Sequence, residues 1–171
     1  GQMTGIVIHA VQVGEGILAI SPLPGRDGDY GQDLEHIREW APAFVVTLVT
    51  RAELVEAGAE HLGTHLQERG ARWVHLPIED YGVPDARLQK EWLEASKLLR
   101  TALRGGGRVL VHCKGGCGRS GMMALRLMIE AGEAPEEALA RLRAVRPCAV
   151  ETQAQMDWAV SANIPLFRHS E

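Results

Sequence analysis

A thiol, a guanidinium and a hydroxyl lie close together in the run His112-Cys113-Lys114-Gly115-Gly116-Cys117-Gly118-Arg119-Ser120. A glycine-rich loop that opens a helix can turn its N–H groups inward, and the helix N-terminus adds partial positive charge, so the run suits an anion of phosphate size. The same groups lower a cysteine's pKa, to roughly 3.5–7.5 at reactive sites. Cys113 is therefore expected as a thiolate nucleophile. Arg119 can hold two phosphoryl oxygens with its planar fork and keep holding them as charge spreads in the transition state. Lys114, Gly115, Gly116, Cys117 and Gly118 are expected to line the phosphate with Arg119. Ser120 is placed to donate to the sulfur as it leaves, and His112 to fix the loop. No glycine-rich run ends in Gly-Lys-Ser/Thr, which separates this loop from a nucleotide-binding one.

Short β-rich runs alternate with helical patterns along the chain, which points to an α/β fold. Strands are expected at Ile6–His9, Ile17–Ile20, Phe44–Val49, Trp73–Ile78 and Arg108–His112. Asp33 is read as the cap of a helix reaching Trp40, and helices are expected over Glu53–Gly58 and Glu60–Arg69. Asp85 should cap a helix to about Arg104 whose apolar stripe is Leu88, Trp92, Leu93, Ala95, Leu98 and Leu99. Helices from Met122 and Pro135 follow, and Thr152 should cap the last. The catalytic candidates thus sit where a buried strand passes into a helix, with the sheet mostly parallel and helices on both faces.

The 171 residues are 46% hydrophobic, enough for one substantial core, so a single domain over residues 1–171 is expected, with Gly1-Gln2 a tag remnant before Met3. A net charge of −4 argues against general binding to nucleic acid or to anionic membranes. No apolar run reaches the roughly 20 residues of a membrane span, and a cytoplasmic monomer is expected. Three cysteines, Cys113, Cys117 and Cys148, cannot all pair within one chain, and reduced thiols are the expectation. Cys117 either fills space at the loop's tip or traps an oxidised Cys113 as a disulfide. Cys148 should simply be packed, and a zinc site from His112, Cys113 and Cys117 has the wrong spacing. The arginines at 100, 104, 108, 141, 143 and 146 are read mainly as solvated.

The segment HCKGGCGRS resembles the His-Cys-x5-Arg-Ser/Thr loop of protein-tyrosine and dual-specificity phosphatases. ILAISPLPG, VVTLVTRAEL, HLPIEDYGVPD and VETQAQ resemble, in order, segments of the kinase-associated phosphatases within that family. The resemblance implies a phosphomonoester hydrolase working through a phospho-cysteine, without metal or other cofactor, on phosphotyrosine or phosphoserine/phosphothreonine proteins. It also implies a general acid on a loop before the catalytic strand, and Asp80 matches that position, with Asp85 the alternative. Glu151 and Gln155 match a loop that places the hydrolytic water, although Glu151 stands where tyrosine-specific relatives carry glutamine. Tyr81 replaces a common glycine and could line the pocket rim. Cys117, where phosphoinositide phosphatases tend to carry a second lysine, lowers the lipid option. The rivals are a rhodanese-like sulfurtransferase, against which Arg119, Ser120 and the acid loop speak, and a phosphate-binding module without catalysis.

Overall fold

A computed structural model describes residues 5–163. The five strands are β1 (His9–Val13), β2 (Gly16–Ser21), β3 (Phe44–Thr47), β4 (Arg72–His75) and β5 (Arg108–His112), in spatial order β1-β2-β5-β3-β4. Only β1 is antiparallel; the pairs β2–β5, β5–β3 and β3–β4 are parallel. β5 is central, and Val109, Leu110 and Val111 are fully buried, as an unbroken apolar run in a parallel sheet requires.

The first strand falls three residues later than the sequence suggests. A hairpin at Gly14-Glu15 pairs Val13 with Gly16 and His9 with Ile20, so the ladder reaches only to His9. Ile6 is buried, but its N–H donates to Asp33 Oδ1 rather than to a strand.

The helices are α1 (Tyr30–Trp40), α2 (Arg51–Glu56), α3 (Leu62–Glu68), α4 (Ala86–Arg104), α5 (Gly118–Glu130), α6 (Pro135–Val145) and α7 (Gln153–Val160). One group, α4 to α7, packs on itself and on β1, β2 and β5, while α1 packs on α3 and α3 on β4. Asp29, not Asp33, caps α1 by accepting from Gln32 N at 3.0 Å. Asp33 is buried within the first turn, and its two oxygens hold the amides of Ile6 at 2.9 Å and Gly25 at 2.7 Å. Both aspartates are competent caps; the buried one was needed for two orphan backbone donors elsewhere.

Asp85 caps α4 as expected, accepting from Leu88 N at 2.8 Å. The stripe on α4 is narrower than the sequence suggests. Leu88, Trp92, Ala95, Leu99 and Leu103 are buried at helical spacing, whereas Leu93 and Leu98, off that face, stay about half exposed. Among the described residues, no helix is long and apolar enough to cross a membrane.

Candidate active site

Cys113 follows the last residue of β5 and is 3% exposed. Its Sγ lies 3.3 Å from Ser120 Oγ, close enough for the hydroxyl to donate to a thiolate. The loop that follows has its carbonyls turned outward. Leu23 N donates to Lys114 O at 3.0 Å, Arg146 donates to Gly115 O at 2.9 Å and to Gly116 O at 3.1 Å, and Val150 N donates to Cys117 O at 3.1 Å. Among the described residues the amides of Lys114 to Arg119 find no protein acceptor. With carbonyls tied outward, those N–H groups remain for an anion over Cys113.

Gly116 is required by space and by its backbone: it has φ 76°, and a Cβ on it would come within 2.8 Å of the backbone at Ser21-Pro22. A Cβ on Gly118 would meet chiefly the movable carboxylate end of Glu151. Val150 takes φ 69°, an unusual conformation for a β-branched residue, and in it sends its amide to Cys117 O.

The expectation of reduced thiols fails here. Cys117 and Cys148 form a disulfide and Cys113 alone is free, so Cys117 is paired with Cys148 and not with Cys113. Cys148 is exposed at the surface rather than packed. The chain after α6 folds back onto the start of α5, where Arg146 and Val150 bind the loop, and this carries Cys148 to Cys117 across 31 positions. Arg146 is likewise a loop anchor rather than a solvated residue.

Arg119, 2% exposed, is gripped by a residue the sequence reading did not select. Its Nη1 and Nη2 donate to Glu53 Oε1 at 2.8 Å and Oε2 at 2.9 Å, and Nη1 also donates to Ile78 O at 2.8 Å. Nε is buried without a partner among the described residues, a donor left for a phosphoryl oxygen. Glu53 is itself fixed by a capping box with Thr50, at the start of α2. Burial pushes the Glu53 carboxyl up, but the hydrogen bonds from Arg119 and Thr50 and the guanidinium charge outweigh it and hold the group at about 2. The Thr-x-x-Glu pattern was the available signal for the cap; nothing in it pointed to Arg119.

His112 is fully buried, and burial first of all holds it well below its ordinary value, at about 4, so the ring is neutral. Cys113 O can only accept, so His112 Nδ1–H donates to it at 3.1 Å and Nε2 must accept from Thr47 Oγ1 at 2.7 Å. Trp73 Nε1–H then donates to Thr47 Oγ1 at 2.8 Å. This buried chain ties the backbone of Cys113 to β3 and β4, the geometry a positioning role for His112 would use.

Asp80 and Asp85 separate clearly. The Asp80 carboxylate, about half exposed, stands 3.5 Å from Arg119 Nη2 and lines a cavity of about 290 Å³ with Cys113 and Arg119. Asp85 is spent on the α4 cap. Lys114, Tyr81 and Glu151 line the same cavity, with Tyr81 exposed and at φ 64°. Gln155 is fully buried. Its Oε1 accepts from Glu151 N at 3.0 Å and Thr152 N at 3.2 Å, and its Nε2 donates to Gly82 O at 3.2 Å, tying the acid loop to the start of α7.

Residues 26–159 match the family model described as "Swiss Army Knife protein, DSP-PTPase phosphatase domain". The chain is similar to mouse cyclin-dependent kinase inhibitor 3, at 34% identity over 116 residues, covering 67% of this chain and 54% of that protein. It thus spans about half the length of the curated relatives it matches. Kinase-associated phosphatase, solved with serine in place of its catalytic-site cysteine, superposes with a TM-score of 0.83 at 26% identity, covering 99% of this chain and 97% of that one. Tk-PTP in its active form gives a TM-score of 0.68 at 32% identity, covering 85% and 90%. A thiol, an arginine fork and an outward-tied loop, in a chain matched over most of its length, place this protein in the dual-specificity and protein-tyrosine phosphatase family.

Proposed function

We propose that this chain hydrolyses phosphomonoesters on proteins, phosphotyrosine and the smaller phosphoserine and phosphothreonine among them, through a phospho-cysteine. The Cys113 thiolate attacks phosphorus, the Sγ–P bond forms and the ester P–O bond breaks. Asp80 gives its proton to the departing oxygen. The loop amides and Arg119 hold the equatorial oxygens throughout. Water then attacks phosphorus, Asp80 takes its proton, and the Sγ–P bond breaks while Ser120 donates to the leaving sulfur. Glu151, on the cavity wall, is the residue placed to orient that water, and Gln155 acts only at one remove by holding the acid loop against α7.

The observation that carries this reading is the outward tethering of four successive loop carbonyls around a buried free thiol. The test is hydrolysis of an aryl phosphate by the wild type and by Cys113→Ser, in metal-free buffer. Loss of at least about 10⁴-fold in the variant, with inorganic phosphate still protecting it against thermal unfolding, is expected. An inactive wild type that still binds phosphate would make the site a recognition module instead.

A further inference from the structure

The turn Leu23-Pro24-Gly25-Arg26 is built more firmly than a surface connection needs. Arg26 N donates to Leu23 O at 3.1 Å with Gly25 at φ 84°, the backbone of a tight turn with proline and glycine in its central positions. Leu23 is buried, and its amide is bonded to the catalytic loop at Lys114 O. Gly25 N is held at 2.7 Å by Asp33, a carboxylate that is only 4% exposed. The turn is therefore fixed to the catalytic loop at one end and to a buried anion at the other.

What it presents is Arg26. The guanidinium lines the catalytic cavity, with Nη1 3.7 Å from the Cβ position of Gly115. Its charged neighbour among the described residues is Asp27, at 3.9 Å, with both side chains well exposed, a pairing worth little. The phosphoryl chemistry makes no use of Arg26. Asp80 and Glu151 line the same cavity, but Arg26 stands beside Gly115 whereas Glu151 stands beside Gly118 and Asp80 beside Arg119, so the cation and the two carboxylates border different parts of the loop. The other cation of the mouth, Lys114, leans toward Glu56 at 4.0 Å.

We infer that Arg26 is a specificity-determining residue that takes an acidic side chain flanking the phospho-residue of a protein substrate. The inference rests on the phosphatase reading above and names the substrate's sequence context. A planar guanidinium is suited to a carboxylate, and a single extra negative charge beside Gly115 avoids the two carboxylates that stand by Gly118 and Arg119. A ligand with anionic groups all round, such as an inositol polyphosphate, would meet Asp80 and Glu151 as well. The preference is consequently one-sided: a glutamate on one flank of the phospho-residue helps, and on the other it does not.

The experiment compares kcat/KM for three phosphopeptides, with glutamine on both flanks, glutamate before, or glutamate after the phospho-residue, using wild type, Arg26→Gln and Arg26→Lys. Wild type should favour one glutamate peptide by roughly fivefold, mostly through KM, and lose that preference as salt rises. Arg26→Gln should bring the ratio to about one, and Arg26→Lys should restore part of it. The inference is overturned if wild type shows no flank preference, if the preference survives in Arg26→Gln, or if that variant slows all three peptides equally. It is also overturned if inositol bisphosphate is preferred over the monophosphate while the peptides are not distinguished. Aryl phosphate hydrolysis by the wild type separates the two readings: if it proceeds, a missing preference sinks only the role of Arg26, and if it fails along with the peptides, both fall.

Discussion

Two loops meet over Cys113, and they are held in opposite ways. The catalytic loop has a disulfide at Cys117, Arg146 on two carbonyls, Leu23 and Val150 on two more, and a glycine pressed against Ser21-Pro22. The acid loop from Glu79 to Asp85 has two internal bonds, Gly82 N to Glu79 O and Tyr81 N to Asp80 Oδ1; between its ends it is tied outward by Gln155 on Gly82 O and by the 3.5 Å approach of Asp80 to Arg119, and Asp85 anchors its end on α4. Its Asp80 and Tyr81 side chains are largely exposed. The cradle must present fixed dipoles to developing charge, whereas a proton donor need only arrive with the substrate. Rigidity is invested in the cradle, and freedom is left in the loop that carries the proposed donor, Asp80.

Asp80→Asn should cut kcat by about 10²- to 10³-fold while moving the unfolding free energy by no more than about 0.5 kcal/mol, measured by steady-state kinetics and urea denaturation. A large stability loss would mean that the acid loop is as structural as the cradle. Glu53→Gln acts on the other side of the comparison. It halves the carboxylate grip on buried Arg119 and should lower both kcat/KM, by about tenfold or more, and stability, by roughly 2–3 kcal/mol.

The acid dependence of that variant sharpens the point. Glu53 is held at about 2 against an ordinary 4.5, so its stabilisation is complete above about 4.5 and is lost as pH falls toward 2. His112, neutral in the fold and held at about 4 against 6.5, contributes stability that is complete above 6.5 and erodes as pH falls to 4. Melting temperature against pH should therefore fall in two overlapping stages in wild type, and Glu53→Gln should lack the lower one.

Cys148→Ser should cost roughly 2–4 kcal/mol, read by denaturation with and without a dithiol reductant, which should move the wild type by the same amount. Hydrolysis should change only severalfold, because Arg146, Leu23 and Val150 still hold the loop. Tyr81→Gly is the smallest change: releasing a non-glycine residue from φ 64° should stabilise the protein by about 0.5–1 kcal/mol in thermal melts.

The cradle was legible in the sequence because its thiol, glycines, arginine and serine are contiguous, and a strand and a helix on either side fix their direction. The place of Asp80 on the cavity wall was reached only through resemblance, since its spacing from Cys113 has no local signal. What holds these groups was not legible. Glu53 grips Arg119 from 66 positions away, Arg146 reaches Gly116 from 30, and Cys148 reaches Cys117 from 31. Such partners are chosen by the tertiary fold. The misplaced cap at Asp33 has the same origin, because local pattern cannot tell which of two aspartates a distant backbone will recruit. Leu93 and Leu98 show the limit of periodicity, as both are apolar and both lie beside the buried face rather than on it.

The Cys117–Cys148 link has a consequence for how the molecule opens. It closes a covalent ring that contains α5 and α6, the helices that carry Arg119 and lie just before Arg146. Within that ring the phosphate-binding end of α5 cannot drift from the chain that clamps it, even while neighbouring elements fluctuate. Amide hydrogens of α5 should then exchange only in the rarest, near-global openings, while those of the acid loop exchange through frequent local ones.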